Sequence, residues 1–179
     1  MNPLETTRLL LRPITETDAS EIYEYSHNPN VGIHAGWKAH ESIEETKEIM
    51  NQLFIGQDHI FGIVLKENNK LIGTVGLLKD PHRSNPRVMM LGYAMSEEQW
   101  GKGLMTEAAR AIVDYSFREV PIDLLTCTCY PTNHRSYRVI EKCGFRHEGC
   151  LRQCEMRFDG AIMDMECFSI SREEYEKSV

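Results

Sequence analysis

The stretch QWGKGLMTEAARAIVDYSF, Gln99 to Phe117, places two glycines, Gly101 and Gly103, on either side of Lys102 at the threshold of a helix. Glycine in a helix interior costs roughly 1 kcal/mol relative to alanine, so a pair at this point marks backbone put to use. The helix is carried by Leu104, Ala108, Ala111, Ile112 and Tyr115, which fall on one face. Upstream, RVMMLGYAM (Arg87–Met95) has strand character, with Gly92 marking a bulge or a close backbone approach. A strand, a glycine turn and a helix in that order can bind phosphate. The first amides of a helix have no internal partner, and its dipole puts partial positive charge there. Lys102 would add charge and Thr106 a hydroxyl. The rival explanation is a tight turn in which glycine serves only a steric need. The dinucleotide fingerprint GxGxxG fails, because Thr106 stands three after Gly103, and GKGLMT has the wrong spacing for a P-loop.

Outward from this stretch the chain alternates strands and helices. RLLLRPI (Arg8–Ile14) is a first strand, stopped by Pro13. Asp18 with Glu21, then Ser42 with Glu45, have capping-box spacing ahead of two helices, the first through Ile22 and Tyr25 and the second ending at Phe54. IFGIVLK (Ile60–Lys66) and KLIGTVGLLK (Lys70–Lys79) flank Glu67-Asn68-Asn69 as a hairpin, and PHRSNP (Pro81–Pro86) is a loop. LLTCTCY is β-rich, NHRSYRVIEK is a short helix closed by Gly144, and strands around Phe145–Leu151 and Met163–Ile170 complete the chain. The sum is one mixed α/β (α+β) domain over residues 1–179: a meander of strands followed by a β-α-β-α-β half.

The totals exclude several functions. A formal charge of -7 argues against a broad nucleic-acid-binding face. It leans slightly toward a cationic substrate, though a solvated acidic surface explains it as well. The six cysteines, Cys127, Cys129, Cys143, Cys150, Cys154 and Cys167, form no CxxC pair, so no metal is expected and the spread-out thiols fit a reducing cytosol. MNPLETTRLL has no signal-like apolar run, and no stretch approaches the ~20 apolar residues of a membrane span, so a soluble, cytoplasmic protein is expected.

Trp100-Gly101-Lys102-Gly103-Leu104-Met105 resembles the pyrophosphate loop R/Q-x-x-G-x-G/A of the GNAT superfamily of N-acetyltransferases, with Trp100 in place of the arginine or glutamine and Met105 in place of the last small residue. WGKG followed by TEA is similar to the branch that acetylates ribosomal-protein N-termini. TTRLLLRPITETDASEIYEY, with R-L-x-L-R-P intact, and NHRSYRVIEKCGF (Asn133–Phe145) resemble that branch too, so the likeness covers nearly the whole chain. It implies a central, mostly antiparallel twisted sheet of about six or seven strands with splayed central strands, flanked by about four helices.

The resemblance also implies a site. Acetyl-CoA is the cosubstrate, its pyrophosphate on the amides of Trp100 to Thr106 (Leu104 and Met105 included) and its pantetheine along Leu91 to Met95, by Tyr93, Ala94 and Met95. The tyrosine that serves many relatives as acid toward the thiolate is replaced by Ile140. Ser136 is the substitute donor, and Asn133 holds the pantetheine or caps the helix. EGCLRQCEMRFDG (Glu148–Gly160) resembles the branch's L-K/R-Q-x-E segment, which puts Glu155 at its base; otherwise Glu155 is a solvated strand charge. A base is needed because an ammonium has no lone pair with which to attack a thioester. Asp164, in D-x-x-x-F with Phe168, lines the acceptor pocket or pairs with an arginine. His34, Trp37 and His40 fall where such folds build an acceptor wall, though Trp37 suits a core equally.

These residues together imply an acetyl-CoA-dependent N-acetyltransferase that transfers directly to a primary amine. The acceptor is a protein N-terminus or a small amine such as a polyamine, an amino acid or an amine-bearing antibiotic. Homodimerisation is carried over by analogy. A non-catalytic acyl-CoA sensor would keep Gly101 and Gly103 without needing Ser136 and Glu155, and a nucleotide-binding regulator is weakened by the failed fingerprints.

Overall fold

A computed structural model of the protein describes residues 2–178. Its eight strands and six helices exceed the expected numbers because short elements escaped notice: β1 (Leu4–Glu5), α2 (Pro29–Ala35) and α6 (Arg172–Glu176).

Two compact units divide the chain, one running through Gly76 with Tyr93–Ala108, the other Leu77–Gly92 with everything from Ala109 on. In the first, β2 (Leu9–Arg12), β3 (Ile60–Leu65) and β4 (Lys70–Lys79) follow β1 as antiparallel neighbours, and the last residues of β5 (Val88–Met95) lie beside β4. Helices α1 (Ala19–Ser26), α2 and α3 (Ile43–Leu53) supply Ile22, Tyr25, Val31 and Met50 to a core shared with Ile14, Ile60, Val64 and Leu71. Burying each such side chain contributes about 1.5–3 kcal/mol.

Capping differs from expectation. Asp18 is buried and does not cap α1. Its carboxylate takes a two-pronged guanidinium bond from Arg12 (2.7 and 2.8 Å) and the Thr15 amide (2.8 Å). A bidentate charged pair outcompetes a single neutral cap bond. Glu21 instead accepts the Leu71 amide at 3.0 Å. Before α3, Ser42 does accept the Glu45 amide (3.1 Å), but the Glu45 carboxylate reaches one residue past Ser42 to the Glu41 amide, so only half the box forms. The unexpected α2 is built from Asn28, which accepts the Asn30 amide, Pro29 at its first turn and left-handed Gly36 (φ 87°) after its end.

In the second unit the strand order is β5, β6 (Leu124–Cys129), β8 (Ile162–Ser171), β7 (Arg146–Met156). β5 and β6 run parallel and pair only through Val88–Met90 with Leu124–Thr126; Leu91–Met95 lie past the end of that ladder. β6 and β7 each pair antiparallel with β8. Along α4 (Leu104–Glu119) the buried side chains are Leu104, Ala108, Ala109, Ile112, Val113, Ser116 and Phe117, whereas the expected Ala111 and Tyr115 are half-buried at the stripe's edge. Gly92 meets a side chain and not another backbone: a Cβ there would lie 2.8 Å from Leu78. Such approaches are at Gly73 and Gly76, where a Cβ would sit 2.4 Å from the Ala94 and His59 carbonyls.

Candidate active site

The glycine loop belongs to the first unit. β5 ends at Met95, one 3-10 turn covers Glu97–Gln99, and α4 starts at Leu104. Gly101 and Gly103 both adopt left-handed φ, 77° and 76°. A Cβ at Gly101 would meet nothing within 4 Å, and one at Gly103 would find only the Arg8 guanidinium, at 3.7 Å. Crowding therefore does not select glycine here; backbone conformation does, and the space above both residues stays open. Open amides at the N-terminus of a sixteen-residue helix are what a pyrophosphate requires, so the loop fits coenzyme A.

The side chains around the loop hold it rather than face it. Trp100 donates its indole N–H to the Met95 carbonyl (2.9 Å), and its ring stands edge-on to His34 of α2 at 6.1 Å. This explains why tryptophan can replace the family's arginine or glutamine: it clamps the loop to β5. Lys102 donates to the Gln99 side chain (3.0 Å), and its carbonyl accepts from Arg8 (3.0 Å). Glu107 of α4 accepts from the Thr6 hydroxyl (2.6 Å), the Arg8 amide (2.8 Å) and the Arg8 guanidinium (2.7 Å). Burial pushes the Glu107 carboxyl upward, but these hydrogen bonds prevail and hold it below its ordinary range. Arg8 and Glu107 were visible only as letters of R-L-x-L-R-P and TEA; their pairing across the sequence was not. Leu104 is buried, and Met105 and Thr106 are half-buried in the first turn of α4. Tyr93 and Ala94 are half-buried and Met95 buried at the end of β5.

Of the expected acceptor wall, His34 lies beside the loop, while Trp37 packs against the apolar core of the first unit. His40 is buried; Thr46 donates to the Ser42 carbonyl, so the imidazole Nδ1–H must donate to Thr46 (2.9 Å). Burial holds His40 below its ordinary value, which suits a neutral structural histidine.

The second unit carries the remaining candidates. Asn133 caps α5 (His134–Lys142), accepting the Ser136 amide at 3.1 Å. The Ser136 side chain bonds Cys129, whose thiol is pushed up to about 12 by burial, with Glu166 and Cys167 adding and Ser136 opposing. Cys143 is likewise pushed up to about 11 by burial. Both thiols stay protonated at neutral pH, which makes them poor nucleophiles.

Glu155 sits in β7 opposite Met163 of β8 and accepts the Tyr130 hydroxyl at 2.7 Å. Tyr130, at the end of β6, is buried, and burial followed by the Glu155 hydrogen bond drives its phenol well above the ordinary value. Nothing in the sequence singled Tyr130 out. From Leu151 to Glu155 β7 takes four steps, while β8 takes two from Met165 to Met163, so β7 carries a bulge of two extra residues. Gln153 within it has a left-handed φ of 51°, and its amide donates to Asp164 at 2.7 Å. Asp164 thus braces the bulge with its carboxylate.

Strand alternation sorts these groups by face. On β8, Met163 and Met165 point one way and Glu166 and Phe168 the other; Cys129 pairs with Glu166, and Tyr137 of α5 lies edge-on to Phe168 at 5.0 Å. Ser136 accordingly stands on the Phe168 face and Glu155 on the Met163 face. Among the described residues no three His, Cys, Asp or Glu side chains are placed to hold a metal ion, and no helix is long and apolar enough to cross a membrane.

Comparison with known proteins converges on one family. An acetyltransferase (GNAT) domain model matches residues 8–146. The chain is 28% identical to an uncharacterized N-acetyltransferase, p20, of Bacillus licheniformis over 98% of this chain and 99% of that one. It is 32% identical to the uncharacterized N-acetyltransferase YoaA of Bacillus subtilis over 93% and 95%. An acetyltransferase (GNAT family) structure from Bacillus anthracis superposes with a TM-score of 0.84 at 26% identity, covering 96% of this chain and 99% of that one. Two further structures match in fold, both at 24% identity. One is a ribosomal-protein-S5-alanine acetyltransferase from Vibrio fischeri (TM-score 0.77; 97% and 98% covered). The other is a spermidine N-acetyltransferase from Vibrio cholerae in complex with CoA and spermine (0.78; 96% and 99%).

Proposed function

The chain belongs to the GNAT family of acetyl-CoA-dependent N-acetyltransferases, and on that premise we propose that its acceptor is the α-amine of a protein N-terminus. Glu155 would take a proton from the acceptor ammonium, freeing the nitrogen lone pair to attack the thioester carbon. As the C–S bond breaks, Ser136 would donate a hydrogen bond to the departing sulfur, which takes up the proton released by the new amide nitrogen. The proton on Glu155 then returns to solvent, so one acetyl group moves and one proton is released overall. The open amides of Gly101 and Gly103 would hold the pyrophosphate.

One observation carries the choice of acceptor: the surroundings of Glu155. Its neighbours are the neutral Tyr130 hydroxyl and an Arg157 already ion-paired with Asp159 (2.7 Å). A carboxylate whose cationic neighbour, Arg157, is already committed to Asp159 fits a substrate that brings one ammonium of its own. An α-amine, with a reference pKa of about 7.7–8.0, asks far less of such a base than a lysine near 10.4. The net charge of -7 favours a second reading, a small cationic amine. Thiol release from acetyl-CoA, measured against N-terminal peptides, polyamines and amino acids, separates the two. Turnover on peptides is expected, and turnover confined to polyamines would replace the first reading with the second.

A further inference from the structure

We propose that Tyr130 is a positioning residue for Glu155, acting together with the β7 bulge that Asp164 braces. The inference rests on the reading of Glu155 as the base and adds how that base is aimed.

Without the two extra residues of the bulge, Gln153 and not Glu155 would stand opposite Met163, since Leu151 already pairs with Met165. An insertion of two preserves the face, because side chains alternate with a period of two. The bulge therefore exchanges the residue while keeping its direction. Gln153 accepts a left-handed conformation that non-glycine residues avoid, and such strain persists only where the surroundings over-determine it. Here the Asp164 carboxylate does so, bonding the Gln153 amide at 2.7 Å.

Tyr130 completes the arrangement from the other side. β8 lies between β6 and β7, so the Tyr130 side chain reaches across β8 to place its hydroxyl 2.7 Å from Glu155 Oε1. With Oε1 engaged, Oε2 is the oxygen left to receive a proton from the acceptor. The phenol stays protonated throughout the working pH range and acts only as donor. Charged groups facing it are Glu155 and, from the hairpin end, Arg157 and Asp159.

Tyr130→Phe keeps the ring and removes the hydroxyl. The expected result is kcat reduced about tenfold or more with KM for acetyl-CoA unchanged within about twofold. In a Glu155→Gln background the same substitution should change kcat no further. An unaltered kcat for Tyr130→Phe, or an equal loss in both backgrounds, would overturn the proposal. Full kcat in Glu155→Gln alone would instead remove the base reading beneath it. Coenzyme A binding reports folding; should Tyr130→Phe lose it, Asp164→Ala is put through the same two backgrounds. That variant loosens the bulge and leaves the Tyr130 hydroxyl in place, so a kcat loss confined to the Glu155 background supports the proposal and no loss overturns it.

Discussion

The glycine loop at Trp100–Gly103 and the β7–β8 hairpin around Glu155 present their chemistry by opposite means. The loop offers main chain: two residues at positive φ, open space above them, and side chains (Arg8, Trp100, Glu107) that face the scaffold. The hairpin offers a side chain, aimed by a bulge, a buried phenol and a carboxylate brace. A backbone site tolerates changes of letter and not of conformation; a side-chain site tolerates neither at its working residue. This contrast accounts for Trp100 and Met105 departing from the family pattern while the two glycines do not.

The largest test of the contrast is Glu155→Gln, expected to lower kcat about 10²–10⁴-fold while acetyl-CoA binding stays within a few-fold, as calorimetry and steady-state kinetics would show. An equal loss of binding would place Glu155 in the cofactor site and erase the distinction. Next comes Gly103→Val, which forces a β-branched residue into a left-handed conformation. Acetyl-CoA affinity should fall about tenfold or more, with kcat at saturation changed far less. If Gly103→Val bound acetyl-CoA normally, the amide cradle would be wrong. Arg8→Ala, which removes the guanidinium bonds to Glu107 and to the Lys102 carbonyl, should weaken acetyl-CoA binding severalfold through loosening alone.

A pH comparison sharpens the same point. The Glu107 carboxyl is held below its ordinary value in the fold, so its contribution to stability is present above the unfolded value of about 4.3 and is lost as pH falls through the depressed folded value. The melting difference between wild type and Glu107→Gln should therefore be constant above about pH 5 and shrink below about pH 4. The smallest effect is expected of Gln153→Gly, which relieves the left-handed strain and should leave stability unchanged or raised by about 1 kcal/mol. A large destabilisation would mean that the Gln153 side chain, and not only its amide, holds the bulge.

What the sequence disclosed divides along the same line. The strand, loop and start of α4 were legible because glycine pairs, helical periodicity and strand runs are local properties of the chain. α2 was equally local, since Asn28-Pro29 and Gly36 punctuate it, yet its seven residues fall short of the apolar repeat that identifies a helix. Asp18 misled because its capping spacing says nothing of Arg12, six residues back. The Glu155 bulge lay beyond sequence reasoning altogether: register depends on which strand pairs with which, and neither the Tyr130 bond nor the Asp164 brace leaves a spacing to find. A lone carboxylate such as Asp164 advertises its charge and not the Gln153 amide it accepts.

The central claim is that Glu155 serves as base for acetyl transfer to an α-amine. The most direct measurement is single-turnover transfer to a peptide whose only amine is its N-terminus, followed by product mass in wild type and Glu155→Gln, both saturated with acetyl-CoA. Transfer by the wild type and its near-complete loss in the variant, with acetyl-CoA still bound, is the expected result. Undiminished transfer by Glu155→Gln, or no transfer to the α-amine by a wild type that acetylates polyamines, would contradict it.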